Sequence, residues 1–419
     1  MLFFIQTLYL KCWLAVFVIF LFFYLKFAFL KSYLCPAKML KEPINIASYS
    51  SISPLGNTPK QVWNNYLNPR SFISNQPMLS ADLSPDSESL LSVLKQDDKK
   101  YQTLDKSVLM GIYAGRNALA QTNWTDLSNT GINMGSSRGA TQLFEENYAL
   151  FNRGEKIAAL TSPTTTLGNI ATWLAHDLSI EGPAMSHSIT CSTAMHALLN
   201  GIAWLNAGMS DQFIVGASEA ANTAFTIAQM QALKIYSKDS SDYPCHSLQF
   251  DKTKNSMVLG EGSVVFCLSP ANNPSDVAQI TSVGYATEKI KHGADISANA
   301  TCFQKSMKMA LAGFDGSDID AIVMHAPGTV KGDQSEWNAI EKVFGANHPA
   351  ITSNKWKIGH SLGASGGLSI EMAILMLQNN QLIESPFYQN KPQTGPLKNI
   401  MVNAVGFGGN AVSIVVSIG

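Results

Sequence analysis

Three side chains in this 419-residue chain stand where the surrounding residues suggest chemistry rather than packing. Cys191 lies in Ser188-Ile189-Thr190-Cys191-Ser192-Thr193-Ala194-Met195, where a short strand runs into a helix of small residues. At such a junction the unpaired N–H groups and the positive end of the helix dipole favour a thiolate, and the same N–H groups could hold an oxyanion. By itself, the segment fits a buried cysteine acting as a small apolar residue at least as well. His325 closes the apolar run Ile319–Met324 and opens His325-Ala326-Pro327-Gly328-Thr329, a turn that no buried strand would choose for stability. His360 follows Lys355-Trp356-Lys357-Ile358-Gly359, again between a strand and a helix of small residues. Either imidazole alone reads as a hydrogen-bonded core histidine. Two in matching positions, with a thiol in a third, make coincidence a poor account.

The elements that must position these groups alternate along the chain. Ile44–Ser51 reads as a strand ending in the turn Pro54-Leu55-Gly56, Pro59–Leu67 as a short helix with proline at its start, and Leu104–Gln121 as a helix with apolar residues at helical spacing. Residues 68–100, rich in Ser, Pro, Asn and Asp, read as a long surface excursion. Strands and helices then alternate through Gly131–Asn133, Ala140–Phe151, Thr166–His176, Ser188–Thr190, Ser192–Gly208 and Gln212–Gly216, the pattern of an α/β fold with buried strands. After the linker Ser269–Pro274 the scheme repeats, with Ile319–His325, Gln334–Phe344, Ile351–Ser353, Ala364–Gln378 and two final strands around Gly406-Phe407-Gly408-Gly409. The two halves read as related units, each with a small-residue helix suited to close, central packing.

Composition narrows the field. With 46% hydrophobic and 14% charged residues, and 29 basic against 30 acidic side chains, the chain is neither disordered nor a binder of nucleic acid through a basic surface. Six cysteines without regular spacing make no disulfide framework and read as reduced, and no CxxC or HxxxH pair suggests a metal site. The charge is unevenly spread: residues 1–38 hold four lysines and no acid, which leaves the remaining body with a net charge of −5. Cys12–Leu25 is an unbroken apolar run that extends, across Lys26, to Leu30, about the ~20 residues that span a bilayer. Residues 1–38 therefore read as a membrane anchor or as a misassigned start ahead of Met39, and they are a poor cleavable signal. The first reading implies an enzyme held at the membrane, the second a cytoplasmic one.

Taken together, Cys191 in its strand-to-helix turn, His325 in His-Ala-Pro-Gly-Thr followed by Asp333 and Glu336, Lys355 and His360 in Lys-x4-His, and the terminal Gly-Phe-Gly-Gly resemble the β-ketoacyl-acyl-carrier-protein synthases. Gly135-Ser136-Ser137-Arg138-Gly139, Phe250-Asp251 and Leu259-Gly260-Glu261-Gly262 fall in the same order as in that family, and the resemblance runs from about Ile44 to Gly419. It implies a thiolase fold, five layers α-β-α-β-α built from two similar halves, here 39–270 with the cysteine and 271–419 with the histidine pair. It implies an acyltransferase that performs a decarboxylative Claisen condensation of a cysteine-bound acyl group with malonyl-acyl-carrier protein, in fatty-acid, polyene or polyketide-type elongation. By resemblance, Cys191 is the nucleophile, His325 and His360 stabilise the enolate, and Lys355 supports them. Phe407, Thr329 and Gly408 meet the substrate, with the N–H groups of Cys191 and Phe407 holding the oxyanion. No metal and no cofactor is implied, because the phosphopantetheine arm arrives on the carrier protein. The implied partners are that carrier protein and a second copy or a related synthase.

Several positions depart from the family pattern. Ala326-Pro327 intervene after the first histidine, and Pro327 offers no N–H. Ser369 stands where an acid commonly pairs with the lysine, with Glu371 two positions later. Thr164-Thr165-Thr166 and Asn169, on the helix that borders the family's acyl pocket, are polar for a long saturated chain and suggest a polyene or aryl-primed one. Arg70, Lys234 and Lys252 are candidates for docking an acidic carrier. A non-catalytic chain-length-factor-like partner shares the implied fold, but such partners generally lack the cysteine. A thiolase would need a second cysteine near the C-terminus, where none follows Cys302.

Overall fold

The computed structural model describes residues 40, 42–167, 169–289, 293 and 296–418, so the leader 1–38 and both readings of it lie outside the described residues. Ten strands form one hydrogen-bonded array: β1 (Ile44–Ile52), β2 (Thr130–Gly135), β3 (Ala184–His187), β4 (Gln212–Glu219), β5 (Gly262–Ser269), β6 (Ala278–Thr287), β7 (Ala321–Val323), β8 (Ala350–Thr352), β9 (Asn399–Gly406) and β10 (Asn410–Ser417). Their order is β3-β2-β4-β5-β1-β6-β10-β9-β7-β8. Taken from its outer edge, each set of five runs third, second, fourth, fifth, first in chain order. In both sets the three outer strands are parallel and the next two pairings antiparallel. The sets meet where Ile44, Asn45 and Ile46 of β1 pair with Ile280, Gln279 and Ala278 of β6.

Both faces of each set are covered, so strands alternate between two cores rather than between core and water. Phe213 and Val215 of β4, and Val264 and Phe266 of β5, face the central layer with Val402, Val412 and Ile414 of the second set. Ile214 and Val265 turn to an outer layer made by the helices Lys106–Leu119 and Asn169–Leu178. On the far side, Met401 and Val415 meet the helices Thr301–Ala310 and Val330–Phe344. The central layer is the helix pair Thr193–Asn206 and Ser365–Asn379, and residues 365–377 of the latter are all buried. The result is the five-layer α-β-α-β-α arrangement. Close packing requires its glycines: a Cβ on Gly366 would stand 2.5 Å from Met195 Cγ, and one on Gly367 2.5 Å from Val264 Cγ1.

Some local expectations are corrected. The stretch 68–100 is more than a surface excursion, since it holds the helix Pro85–Asp97, capped by Ser84 and burying Leu91 and Leu94. Its Ser-Pro-Asp opening is a helix start rather than a loop. The strand before the nucleophile ends at His187, and Ser188–Thr190 is a turn in which Thr190 takes φ +47°. The element pattern also omitted β5, β6 and the helix Thr301–Ala310, whose strands and helix are read only once both faces are known to be buried.

Candidate active site

The turn after β3 is fixed by its own hydroxyls. Thr193 Oγ1 accepts from the Ile189 N–H at 2.9 Å and donates to the Thr190 carbonyl at 2.6 Å, while Ser192 Oγ donates to the Ile189 carbonyl at 3.0 Å. Cys191 is thereby held just ahead of the helix Thr193–Asn206, 5% exposed. The turn between β9 and β10 closes over it. Gly406 is a glycine because a Cβ there would lie 2.2 Å from Thr190 Oγ1 and 2.4 Å from the Ile189 carbonyl. Burial pushes the thiol up to about 12, with the Glu219 carboxylate adding to the shift. Lys355 and the N–H groups of Cys191 and Phe407 act in the opposite direction. The helix terminus alone therefore does not make a resting thiolate, contrary to the reading from the junction, because desolvation of the charged form outweighs it. The two N–H groups that act on the sulfur come from different halves of the chain, which is the arrangement an oxyanion needs.

His325 follows β7 in a loop gripped by Glu336, whose two carboxylate oxygens accept from the N–H groups of His325 (3.0 Å) and Ala326 (2.9 Å). Asn403 donates to the same carboxylate at 3.2 Å and is itself fixed by Ser413 at 2.7 Å. His360 is laced to the first half, its N–H donating to the Val258 carbonyl at 2.7 Å and its carbonyl accepting from Gly260 at 3.1 Å. The two imidazole rings lie 5.0 Å apart between centroids and nearly perpendicular, at 88°. His360 Nδ1 pairs with Ser365 Oγ at 3.2 Å, and His325 Nδ1 is buried without a hydrogen-bond partner among the described residues. Burial holds both rings neutral: His325 falls well below the usual imidazole range, helped by His360 and Lys355, and His360 falls to about 3, helped by Lys355. Thr190 (φ +47°) adjoins Cys191, Ala326 (φ +25°) adjoins His325, and Leu362 (φ +38°) lies two residues after His360, each in the left-handed region, a conformation that costs energy and that packing must enforce.

Lys355 is 1% exposed, and its ammonium donates to Asn354 Oδ1 at 2.6 Å and Ser369 Oγ at 3.3 Å. Burial lowers it to about 8, with Glu336 the largest opposing influence. Glu371 does not replace the missing acid: two positions further around the helix it faces β1 and accepts from Ser51 Oγ at 2.6 Å. The docking candidates divide. Lys252 is buried and bonded to Asp333 at 2.7 Å, and is withdrawn as a surface cation, whereas Arg70 and Lys234 are exposed. Asp333 also accepts from the Gly328 N–H at 3.0 Å, holding the turn after Pro327.

Cys191, His325, His360, Thr329 and Phe407 line one cavity of about 220 Å³, closed on its apolar side by Met230 and other aliphatic groups. Thr329 caps the helix Val330–Phe344, accepting from the Gly332 N–H at 3.1 Å. Phe407 is 41% exposed at the mouth. Gly408 is not in the lining and stands in the β9–β10 turn with a φ of +98°. Thr164, Thr165, Thr166 and Asn169 are also outside this cavity, with the three hydroxyls bonded to carbonyls of their own segment and Asn169 to the Thr164 carbonyl. Among the described residues, no three His, Cys, Asp or Glu side chains gather in a way that could hold a metal ion. Sequence reasoning passed over Glu219, which accepts from Ser136 Oγ and the N–H groups of Ser137, Arg138 and Gly363 and so ties both halves together beside the thiol. A lone acid at the end of an apolar strand, as in Gly216-Ala217-Ser218-Glu219, was the available signal.

A thiol and two neutral imidazoles in one buried cavity between duplicated α/β halves define a condensing-enzyme class of site. Residues 41–273 match the family model for the β-ketoacyl synthase N-terminal domain and residues 277–388 that for its C-terminal domain. The chain belongs to the β-ketoacyl synthase family. It is 25% identical over 414 residues to 3-oxoacyl-[acyl-carrier-protein] synthase 2 of Coxiella burnetii, covering 90% of this chain and 99% of that one. With the enzyme of the same name from Staphylococcus aureus it shares 26% over 406 residues, covering 88% and 99%. Among solved structures, a type II polyketide ketosynthase in complex with its acyl-carrier protein superposes with TM-score 0.78 at 20% identity, covering 90% of this chain and 100% of that one. A ketosynthase in complex with its chain length factor from Xenorhabdus doucetiae does so with TM-score 0.73 at 21%, covering 90% and 98%.

Proposed function

We propose that this protein is an elongating 3-oxoacyl-[acyl-carrier-protein] synthase. The observation that carries the reading is the convergence of Cys191, His325 and His360 in a single, mainly apolar cavity. Cys191 sulfur attacks the carbonyl of an acyl thioester, the oxyanion is held by the N–H groups of Cys191 and Phe407, and the carrier's pantetheine thiol leaves with the proton that the cysteine gives up. Since the resting thiol is pushed up to about 12 by burial, proton removal accompanies attack rather than preceding it. Malonyl thioester then binds with its carbonyl oxygen toward the imidazoles. Carbon dioxide departs, the electron pair of the broken C–C bond forms an enolate, and neutral N–H donors stabilise the oxygen on which charge develops. The enolate carbon attacks the acyl-cysteine carbonyl, the C–S bond breaks with its electron pair on the sulfur, which takes up a proton from solvent to restore the thiol, and a chain two carbons longer leaves on the carrier. Lys355 supplies a fixed positive charge beside this anionic chemistry.

The carrier protein is the partner that delivers both thioesters, with Arg70 and Lys234 as exposed cations for its acidic surface. A second copy or a related synthase would pair along β3, whose outer edge ends the strand array. The free cysteines at 191, 245, 267 and 302 suit a reducing, cytoplasmic setting. No helix among the described residues is long and apolar enough to cross a membrane. No cofactor or metal enters these steps. The test is intact mass of wild type and Cys191→Ala after incubation with acyl- and malonyl-carrier protein. An acyl adduct and a lengthened product are expected only with the wild type; condensation by the variant, or no adduct on the wild type, defeats the proposal.

A further inference from the structure

Lys357 carries a charge that the steps above do not use. It is fully buried, and its ammonium donates to the main-chain carbonyls of Asn65 at 3.0 Å and Arg70 at 3.1 Å, and to that of Asn68. Three donors meet three acceptors, so the buried cation is satisfied with no carboxylate among these partners. Asn65 lies in the last turn of the helix Pro59–Leu67, and Asn68 is its C-cap. Carbonyls at a helix end carry the negative end of its dipole, and this helix has no basic residue in its own last turn. Lys357 supplies one from 289 residues beyond Asn68, with the rings of Trp356 and Phe72 centred 4.5 and 5.7 Å from its nitrogen.

What this cation holds is the short helix Lys355–Ile358. One turn closes too few hydrogen bonds to stand by itself, so its place must come from what it is tied to. Two further bonds run to the same segment: the Phe72 N–H donates to the Lys357 carbonyl at 2.8 Å, and Ser71 Oγ donates to the Trp356 carbonyl at 3.0 Å. Lys355 opens the helix, and His360 follows it after Gly359. Gly359 takes φ +65°, and a Cβ there would lie 2.9 Å from the carbonyls of both Val258 and Leu259. The link to His360 is therefore tight, and a shift of the helix passes to the imidazole as well as to Lys355.

We infer that Lys357 is a positioning residue for the condensation: its ammonium clamps the helix Lys355–Ile358 to the end of the helix Pro59–Leu67 and so sets Lys355 and His360 in place for the enolate. The inference rests on the elongating-synthase reading above. Lys357 does not line the catalytic cavity and acts through its neighbours. In the test, wild type, Lys357→Met and Ser71→Ala are acylated from acyl-carrier protein at pH 7, below the value of about 8 to which burial lowers both lysines. The Cys191 adduct is counted by intact mass, and carbon dioxide release from malonyl-carrier protein is measured per adduct over a range of concentrations. Lys357→Met is expected to form the adduct at the wild-type rate, while kcat for carbon dioxide release per adduct falls about tenfold or more, the effect of a small misplacement of the reacting groups. Ser71→Ala should lower it about threefold, the loss of one hydrogen bond. Counting per adduct leaves unfolded molecules out, and Ser71→Ala carries the test if Lys357→Met does not fold. An unchanged kcat per adduct in folded Lys357→Met, or in Ser71→Ala where the first does not fold, overturns the inference. Equal losses of adduct formation and carbon dioxide release would make Lys357 a general support of the fold, and a raised KM with unchanged kcat would assign the clamp to carrier docking through Arg70; either also overturns it. Absence of an adduct on the wild type would instead overturn the elongating-synthase reading, and this inference with it.

Discussion

After the third strand of each half, β3 in the first and β8 in the second, the chain turns towards a central helix. The first half places a thiol at that junction, and the second places Lys355 and His360 there. After the second strand, β2 or β7, comes a loop whose two successive N–H groups are gripped by a buried carboxylate. Glu219 holds Ser137 and Arg138, and Glu336 holds His325 and Ala326. Burial raises both carboxyls to about 7. The support is thus duplicated while the side chain it presents is not. In the proposed reaction one half supplies the covalent nucleophile and the other the neutral donors, and both open towards the same cavity. On the proposed mechanism, a duplicated scaffold divides the two stages between its copies by changing residue type at equivalent junctions.

The sharpest test of this division removes each half's contribution separately. Cys191→Ala should abolish the acyl adduct and lower condensation by roughly a thousandfold or more, read by intact mass and product formation. His325→Ala or His360→Ala should leave the adduct intact but slow carbon dioxide release from malonyl-carrier protein by about a hundredfold or more. If the histidine variants lose the adduct as well, the two halves do not divide the stages. The pH profile is a gentler probe. Both imidazoles are held below their usual range, so carbon dioxide release should show no loss on acidification through the ordinary imidazole range. Lys355 lies at about 8, and its charged form is the one present below that value, so the rate should decline as pH rises through about 8. Lys355→Met should be slower and should lack this alkaline decline.

Two smaller effects separate the shared support from the chemistry. Gly366→Ala thrusts a methyl against Met195 where the central helices touch, and should destabilise the fold by about 1–3 kcal/mol in denaturant titration. Thr329→Ala removes a helix cap and should cost about 1 kcal/mol, with a rise in KM for malonyl-carrier protein if the threonine also meets the pantetheine arm.

Much of the fold was legible because buried strands and small-residue helices leave local signatures. The helix Pro59–Leu67 coincides with its proline and apolar spacing, and the nucleophile helix with its run of Ala and small side chains. What was not legible depended on direction in space. Lys252 reads as a surface cation until Asp333, far along the chain, is seen beside it. Glu371 stands only two positions from the missing acid in sequence, yet the helix turns it towards Ser51. Gly408 reads as a substrate contact, and only the structure places it in the β9–β10 turn with a φ of +98°.

The sequence by itself determined the inventory: a thiol and two imidazoles at strand-to-helix junctions, small residues where helices must approach, and an order of motifs that points to one family. Only the tertiary structure decided that the two rings stand 5.0 Å apart beside the thiol. It also decided that burial keeps the thiol protonated and the imidazoles neutral, and that Lys357 meets three carbonyls of a segment remote in sequence. Residue type and local spacing are written along the chain, whereas desolvation and distance arise only when segments remote in sequence exclude water from one another.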